Sequence, residues 1–310
     1  MAAQHGLDET IKARLLLVLL ALVWGLSWPI MKIALDEIGV FTLRVLGFSL
    51  SALSLFALIR LQGRSPAIPR GVAWLHVAAA SLFNVIGFAL FSSFAQLAAA
   101  TSRVVIINYS MPIWASLMAW LLLGERVTAR VGIGLALCVA GLSVLIYPVA
   151  VAQSAVGLLL ALGCALCWAA GTIYMKWARI AGDLLAITAW QIAIGAAVMS
   201  AGFLLFQGIP APSPVSLQAV LAVLYNGLIG TGFAYILWFA IIERLPTATA
   251  ALGSLATPVV GVGSSMLMLG ERPTTADTIG FALIFAAAAC VLLQPTGRAT
   301  DAASIESRAR

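Results

Sequence analysis

Long apolar stretches separated by short polar connections form the main pattern along this chain. Stretches of about twenty residues, enough to cross a bilayer as a helix, occupy residues 14–34, 38–60, 72–95, 100–123, 130–149, 155–178, 184–206, 217–241, 247–269 and 276–294. A closed β-barrel would instead need roughly ten-residue segments of alternating polarity, which the sequence lacks. The pattern therefore predicts an all-α integral membrane protein with about ten transmembrane helices.

Residues that start or interrupt helices are placed consistently with this division. Thr128 and Thr274 or Thr275 stand at the beginnings of apolar stretches, where a threonine hydroxyl can accept a hydrogen bond from one of the first free N–H groups. Pro112 lies inside the fourth stretch and has no N–H group, so it predicts a kink there.

Composition supports the membrane assignment and argues against a nucleic-acid-binding protein. Hydrophobic residues make up 63% of the chain, charged residues make up 9%, and the mean hydropathy is +1.08, whereas a soluble domain carries about 25% charged residues. The net charge of +6 comes from scattered basic residues at the ends of apolar stretches. The 4 cysteines lie within apolar stretches, where packing is expected rather than metal binding. We therefore predict no cofactor, no metal and no nucleic-acid partner.

Two groups of residues each occur twice in the sequence. Trp24, Met31 and Lys32 recur as Trp168, Met175 and Lys176, each 144 positions later. Pro112, Glu125 and Arg126 recur as Pro258, Glu271 and Arg272, each 146 positions later. The repetition predicts two five-helix units, residues 14–149 and 155–294, between an N-terminal segment at 1–13 and a tail at 295–310.

The distribution of basic residues predicts the orientation. Alternate connections place 13 Lys and Arg residues on one side and 4 on the other, and positive charge is retained in the cytoplasm. Both termini are therefore predicted to be cytoplasmic, in a cell inner membrane. Five helices per unit invert the second unit, which puts Lys32 outside and Lys176 inside. Inverted repeats are typical of secondary transporters, whose substrate site lies between the repeats near the bilayer midplane; a non-transporting membrane scaffold is the alternative.

The repeated residues also carry a resemblance to a known family. They are Leu22-Val-Trp24-Gly25, Arg44, Pro112 with Leu-Gly-Glu125-Arg126, and Pro258 with Leu-Gly-Glu271-Arg272. From Leu15 to Leu293 the chain resembles the ten-helix EamA-type permeases of the drug/metabolite transporter superfamily, and it looks closest to their aromatic amino-acid exporters. The resemblance implies an inner-membrane carrier that exports amino acids or related metabolites.

Polar and aromatic side chains inside the apolar stretches are candidates for substrate binding, because polar groups in a bilayer usually face an internal cavity. These candidates are Trp24, Ser27, Asn84, Phe88, Asn108, Tyr109, Trp168, Thr172, Asn226, Phe233, Tyr235, Trp238 and Ser254. Amides and hydroxyls can hydrogen-bond an ammonium or a carboxylate, and aromatic rings can stack on a substrate. Structural alternatives are hydrogen bonds that join helices for Asn84 and Asn108, and an interfacial belt for the tryptophans.

Residues near the ends of the stretches are candidates for a gate or a substrate entrance. They are Arg44, Gln191, Glu125, Arg126, Glu271 and Arg272. Arg44 lies a few residues inside the second stretch, where it could extend to water, attract a substrate carboxylate, or pair with Asp36 or Glu37. Gln191 occupies a comparable place in the seventh stretch. The two Glu-Arg pairs are expected at opposite membrane faces, as gate or boundary ion pairs.

The acidic residues bear on the mode of transport. All 11 Asp and Glu residues lie in the termini, in connections or at the ends of apolar stretches, whereas a proton-coupled exporter of cations needs a buried carboxylate. The sequence therefore predicts alternating-access export of a small molecule, an aromatic or neutral amino acid or a related metabolite, by a facilitative or exchange mechanism. Export of other metabolites or drugs is an alternative. No residue pattern typical of an enzyme occurs, and a monomer in the lipid bilayer is compatible with the sequence.

Overall fold

The protein is described by a computed structural model that covers residues 2–125, 129–152, 155–208, 214–242 and 256–292; every regular element in these ranges is helical. The helices are α1 (Ala2–Leu35), α2 (Val40–Leu61), α3 (Val72–Ala98), α4 (Thr101–Leu123), α5 (Ala129–Ala152), α6 (Val156–Ala178), α7 (Leu184–Gln207), α8 (217–242), α9 (Ala256–Leu269) and α10 (Thr275–Leu292). Within these ranges, eight helices are long and apolar enough to cross a membrane, and α9 and α10 are shorter apolar helices. The predicted all-α membrane fold is confirmed.

The beginnings of the helices agree with the sequence in part. The part of α1 that can span a membrane is Leu15–Leu35, which agrees with the predicted stretch at 14–34, and the helix itself extends back to Ala2. α10 begins with the predicted threonine cap: the Thr274 hydroxyl accepts from the Asp277 N–H at 3.2 Å, and the Asp277 carboxylate accepts from the Thr274 N–H at 2.8 Å. Thr128 and residues 247–255 of the predicted ninth helix lie outside the described residues.

Within the described ranges, four helices contain a local interruption. π-helical segments occupy Leu82–Gly87 in α3, Phe203–Gln207 at the end of α7 and Tyr225–Phe233 in α8, and α4 is broken between Asn108 and Met111. The break in α4 confirms the interruption predicted before Pro112, and the Ser110 hydroxyl donates to the Ile107 carbonyl there at 2.6 Å. The segments in α3 and α8 end near Gly87 and Gly232, which correspond between the two repeats. Such segments often occur at functional sites, where they change the direction in which side chains leave the helix.

Contacts between helices follow a two-fold relation between the repeats. Equivalent helices pack on each other, α2 on α7 and α5 on α10. The crosswise contacts also correspond, because α1 packs on α8 and α9 while α6 packs on α3 and α4. At the α5–α10 crossing a Cβ on Gly141 would lie only 3.1 Å from the Gly280 carbonyl oxygen, so glycine permits this close approach.

Polar contacts join the repeats at one end of the bundle, which we call the Glu125 face. Glu125, at the end of α4, forms an ion pair with Lys176, near the end of α6. Arg64, in the α2–α3 connection, pairs with Asp183 at the start of α7, with 2.6 Å between Nε and Oδ2. Each of these pairs links one residue of the first repeat to one of the second.

The opposite end, which we call the Glu271 face, is joined more extensively. The Glu271 carboxylate accepts from the backbone N–H groups of Thr101 at 2.6 Å and Ser102 at 2.9 Å. Beside it, the Arg103 guanidinium donates to both carboxylate oxygens of Asp277, at 2.6 and 2.9 Å. The start of α4 is therefore held by two acidic residues of the second repeat.

Glu37 adds a third contact at the Glu271 face. Its carboxylate accepts from the Ser216 hydroxyl at 2.6 Å and from the Ser216 N–H at 2.9 Å. These hydrogen bonds favour the ionised form and lower the pKa of Glu37. Its neighbour Asp36 pairs instead with Lys32, at 2.5 Å. Both acidic residues of the α1–α2 connection are therefore engaged at this face.

Candidate functional site

A cavity lies between the two repeats, bounded by residues of α1, α2, α3, α4, α6, α7 and α8. Its volume is about 170 Å³, whereas one water molecule needs roughly 10–15 Å³ by such a measure, so a small metabolite has room. The lining residues are Trp24, Ser27, Trp28, Met31, Arg44, Phe48, Asn84, Val85, Phe88, Ala89, Ser92, Asn108, Tyr109, Met111, Trp168, Ile192, Asn226, Gly230, Thr231 and Tyr235.

Two groups of aromatic rings form a wall of the cavity. Phe88 of α3 lies between Trp168 of α6, with ring centroids 5.1 Å apart, and Trp28 of α1, at 6.3 Å and an interplanar angle of 66°. Trp24 packs against Trp238 of α8, with ring centroids 6.0 Å apart and an interplanar angle of 38°, and Trp238 lies behind the cavity lining. Tilted aromatic pairs at these distances attract each other and present flat apolar faces. The wall is suited to contact an apolar or aromatic part of a substrate.

Amide side chains form the polar part of the lining. The Asn84 side-chain amide donates to the side-chain oxygen Oε1 of Gln191 at 3.3 Å. The backbone carbonyl of Gln191 accepts from the Ser81 hydroxyl at 2.7 Å. Gln191 therefore lies behind Asn84 and joins α3 to α7. Asn226, in the π-helical segment of α8, donates to the Ala222 carbonyl at 2.9 Å.

Asn84 is held in place by a glycine on the facing helix. A Cβ built on Gly171 of α6 would lie 1.9 Å from Asn84 Oδ1 and 2.4 Å from its Cγ. Only a glycine leaves room for the amide at this crossing. The geometry shows Asn84 both joining helices and lining the cavity, so the two interpretations of this residue are compatible.

Asn108 presents an acceptor that lacks a donor. The residue is 2% exposed and lines the cavity, and within the described part of the chain its Oδ1 has no hydrogen-bond partner. Buried polar atoms are nearly always hydrogen-bonded, because leaving one unpaired is costly. The break in α4 directly after Asn108 places this amide at the point where the helix changes direction.

Arg44 extends into the bundle rather than toward the surface. Its guanidinium donates to the hydroxyls of Ser92 and Ser93, each at 2.8 Å, and to the Ala89 carbonyl at 3.1 Å. Its Nη2 also lies 2.9 Å from the Met31 sulfur. The side chain is half-buried, and among the described residues it forms no pair with Asp36 or Glu37. Arg44 instead lines the cavity.

The remaining predicted binding residues differ in their placement. Thr172 is exposed and donates to the Trp168 carbonyl at 2.8 Å, and Phe233 is 40% exposed. Neither belongs to the cavity lining, because each projects from the outer side of its helix. Ser254 lies outside the described residues.

The predicted gate residues Glu125 and Glu271 lie at the two faces, and each contacts a group other than an arginine. Glu125 pairs with Lys176, and Glu271 accepts from the backbone at the start of α4. Arg272 is exposed, and Arg126 lies outside the described residues. Of the gate residues at the two faces that the structure describes, Glu125 and Glu271 make contacts between the repeats.

Several lining residues were not predicted. Met31 follows Trp24, Ser27 and Trp28 at helical spacing, so the repeated Trp…Met pattern could have identified it. Ser92 lies eight positions after Asn84 on the same face of α3, and Phe48 lies four after Arg44. Gly230 and Thr231 reach the cavity through the π-helical segment of α8, whose glycines were the only signal in the sequence.

Comparisons with a family profile and with related sequences indicate a transporter, and comparison with a solved structure indicates a shared fold. The sequence profile of the EamA-like transporter family matches residues 11–147 and again 155–293. The chain is 25% identical to the uncharacterized transporter YoaV of Bacillus subtilis, over 88% of this chain and 94% of that protein. It is 26% identical to a probable amino-acid metabolite efflux pump of Escherichia coli, over 88% and 92%. A solved crystal structure at 23% identity superposes with a TM-score of 0.63, over 90% and 96% of the two chains, and shows the same fold.

Proposed function

Because this chain belongs to the EamA-like transporter family, and is thus a multi-pass membrane transporter, we propose that it exports amino acids or related small metabolites. The observation that carries the proposal is the cavity between the repeats, which combines an aromatic wall with amide side chains. A zwitterion with an apolar or aromatic side chain suits such a lining. The similarity to a probable amino-acid metabolite efflux pump of E. coli supports the same substrate class.

We further propose alternating access by a facilitative or exchange mechanism. Two repeats related by a two-fold axis can exchange conformations around a fixed central site. Among the described residues that line the cavity, none is Asp or Glu, and a carboxylate is the usual group that exchanges a proton for a substrate. A facilitative carrier or an exchanger needs no such group.

The orientation of the protein in the membrane is proposed from the distribution of charge. The connections and termini on one side of the membrane carry 13 Lys and Arg residues, and those on the other side carry 4. This difference supports cytoplasmic termini in a bacterial inner membrane. Reporter fusions at the C-terminus measure this directly: a cytoplasmic fluorescent reporter is expected to be active there and a periplasmic phosphatase inactive. The reverse result would contradict the orientation.

Flux through the purified protein tests the proposed function. Proteoliposomes containing the protein are expected to take up labelled aromatic or neutral amino acids with saturable kinetics, and with no requirement for a pH gradient. Trp168→Ala and Asn84→Ala are expected to lower uptake about tenfold or more, because each removes part of the cavity wall. Thr172→Ala is the matched control, since Thr172 is exposed one helical turn from Trp168. Absence of saturable flux for every amino acid would contradict the proposal.

A further inference from the structure

Arg44 is the one charged residue among the described residues that line the cavity. All of its hydrogen-bond partners given by the structure are neutral: the Ser92 and Ser93 hydroxyls and the Ala89 carbonyl. Phe48 lies beneath the guanidinium, with its ring centroid 5.9 Å away. These groups orient the cation without neutralising it.

The described residues provide no counterion for this cation. The acidic side chains that follow α1 are occupied elsewhere, because Asp36 pairs with Lys32 and Glu37 accepts from Ser216. The other described ion pairs, at Asp183, Glu125 and Asp277, also exclude Arg44. Arg44 is half-buried, and a charge removed even in part from water is costly unless an opposite charge accompanies it. The cavity therefore carries a net positive charge that an anionic ligand group would compensate.

The second repeat does not duplicate this charge. Gln191 of α7 occupies the place that corresponds to Arg44 in α2, and it contacts the Met175 sulfur at 3.6 Å as Arg44 contacts that of Met31. The sulfur contact is thus retained in both repeats, whereas the cation is present in one. A single anionic group, bound toward α2, fits this asymmetry.

Asn108 provides an independent indication of a ligand. Its Oδ1 is buried at the cavity wall and accepts no hydrogen bond from the described residues. An acceptor of this kind fits an N–H donor on a ligand. The cavity therefore offers one strong donor group for an anion and one unused acceptor for a donor.

We propose that this cavity recognises an α-amino carboxylate, with the carboxylate bound by Arg44 and the ammonium group donating to Asn108. The side chain of the substrate lies against Trp28, Phe88 and Trp168. The proposal rests on the proposed function, because it names the substrate class of the same cavity. Arg44 is then the residue that makes the cavity selective for substrates with a carboxylate.

Competition with matched compounds tests this requirement in the wild-type protein. Uptake of labelled L-phenylalanine is measured in proteoliposomes against unlabelled L-phenylalanine and L-phenylalaninamide, which differ only in the carboxylate. The amide is expected to inhibit about tenfold or more weakly, because it cannot form charge-assisted hydrogen bonds with a guanidinium. Equal inhibition by the acid and the amide would overturn the proposal.

Substitution of Arg44 separates a binding role from a structural one. Arg44→Gln is expected to raise the KM for L-phenylalanine about tenfold or more and to abolish the preference for acid over amide, and Arg44→Lys is expected to restore part of that preference. A residue that only held α2 against α3 would lower the amount of folded protein without changing the preference. Arg60→Gln, at an exposed position of the same helix, is the control and is expected to match wild type. An unchanged preference in folded Arg44→Gln would overturn the proposal.

Binding is also measured without transport, so that failure of the two proposals can be told apart. The melting temperature of the detergent-purified wild-type protein is recorded with L-phenylalanine, L-phenylalaninamide and 3-phenylpropionate, which lacks the ammonium group. The expected order of stabilisation is phenylalanine, then 3-phenylpropionate, then the amide. This order in the absence of flux supports the binding site and contradicts transport of amino acids. The proposal would be overturned if the amide stabilised the protein as much as phenylalanine does. It would also be overturned if neither phenylalanine nor 3-phenylpropionate raised the melting temperature.

Discussion

The positions of the Asn84 and Asn108 side chains in the cavity depend on a few neighbouring atoms. Asn84 reaches the cavity through one hydrogen bond of 3.3 Å to Gln191 and through the space left by the absent side chain of Gly171. Asn108 depends on the break in α4 that follows it. Small changes beside these residues should therefore affect substrate binding more than folding.

Gly171→Ala tests this dependence. The added methyl group would overlap Asn84 Oδ1 at 1.9 Å and Cγ at 2.4 Å, so the whole Asn84 side chain is expected to turn away about χ1 and lose its contact with Gln191. We expect amino-acid uptake to fall about tenfold, while the free energy of unfolding changes by less than about 1 kcal/mol because alanine favours the helix. Uptake by proteoliposomes and thermal unfolding in detergent measure the two effects.

Gly132→Ala is the control for this substitution. Gly132 lies exposed in α5, and a Cβ there would have no neighbouring atom within 4 Å. We expect unchanged uptake and a gain in stability of up to about 1 kcal/mol from helix propensity. Wild-type uptake by Gly171→Ala would show that the position of Asn84 is unimportant for transport.

At the scale of helices, the interruptions and ends of α4 connect the cavity to the surface of the bundle. The same helix carries Asn108 at the cavity and receives the Glu271 carboxylate at its first N–H groups. A carboxylate at a helix N-terminus satisfies free donors and interacts favourably with the helix dipole. Glu271 therefore anchors a helix of the first repeat from the second repeat.

Glu271→Ala is expected to weaken this anchor. It leaves the N–H groups of Thr101 and Ser102 without their acceptor, so the free energy of unfolding should fall by about 1–2 kcal/mol. Glu125→Ala is the matched control, since it removes an ion pair whose side chains are 57% and 47% exposed, and such a pair contributes about 0–1 kcal/mol. Thermal unfolding in detergent compares the two, and an equal or larger loss for Glu125→Ala would contradict the assigned role.

Features of the helices could be predicted where their causes are local. Pro112 interrupts α4 through its own missing N–H, and Thr274 caps α10 through a partner three residues away. The partners of Arg44 could not be predicted, because Ser93 lies 49 residues away and meets it only after α2 and α3 pack. The π-helical segments of α3 and α8 were missed for a similar reason, since packing rather than local propensity selects them.

At the scale of the whole molecule, equivalent helices of the two repeats pack symmetrically, whereas the polar contacts at the Glu125 face differ from those at the Glu271 face. Glu271 binds backbone groups, whereas Glu125 binds the Lys176 side chain. In an alternating-access carrier the contacts at one face must separate while those at the other hold. The Glu125–Lys176 contact is expected to be one that separates, because it joins exposed side chains.

A reversible cross-link tests that expectation. Glu125→Cys and Lys176→Cys are combined in a protein whose four native cysteines, Cys138, Cys164, Cys167 and Cys290, have been replaced. A short bis-methanethiosulfonate then links α4 to α6 by forming a disulfide with each new cysteine and releasing two sulfinates. Transport is expected to stop after cross-linking and to return when a reductant breaks the link. Each single cysteine variant, treated identically, is the control and should remain active.

Counterflow in proteoliposomes tests the central claim, that this is an alternating-access carrier for amino acids, most directly. Vesicles loaded with unlabelled L-phenylalanine are diluted into labelled L-phenylalanine, and the label inside is followed over time. A carrier is predicted to accumulate label transiently above the outside concentration, and the cross-linked Glu125→Cys/Lys176→Cys protein is predicted not to. Absence of any overshoot in the wild-type protein, or an overshoot that persists after cross-linking, would contradict the account.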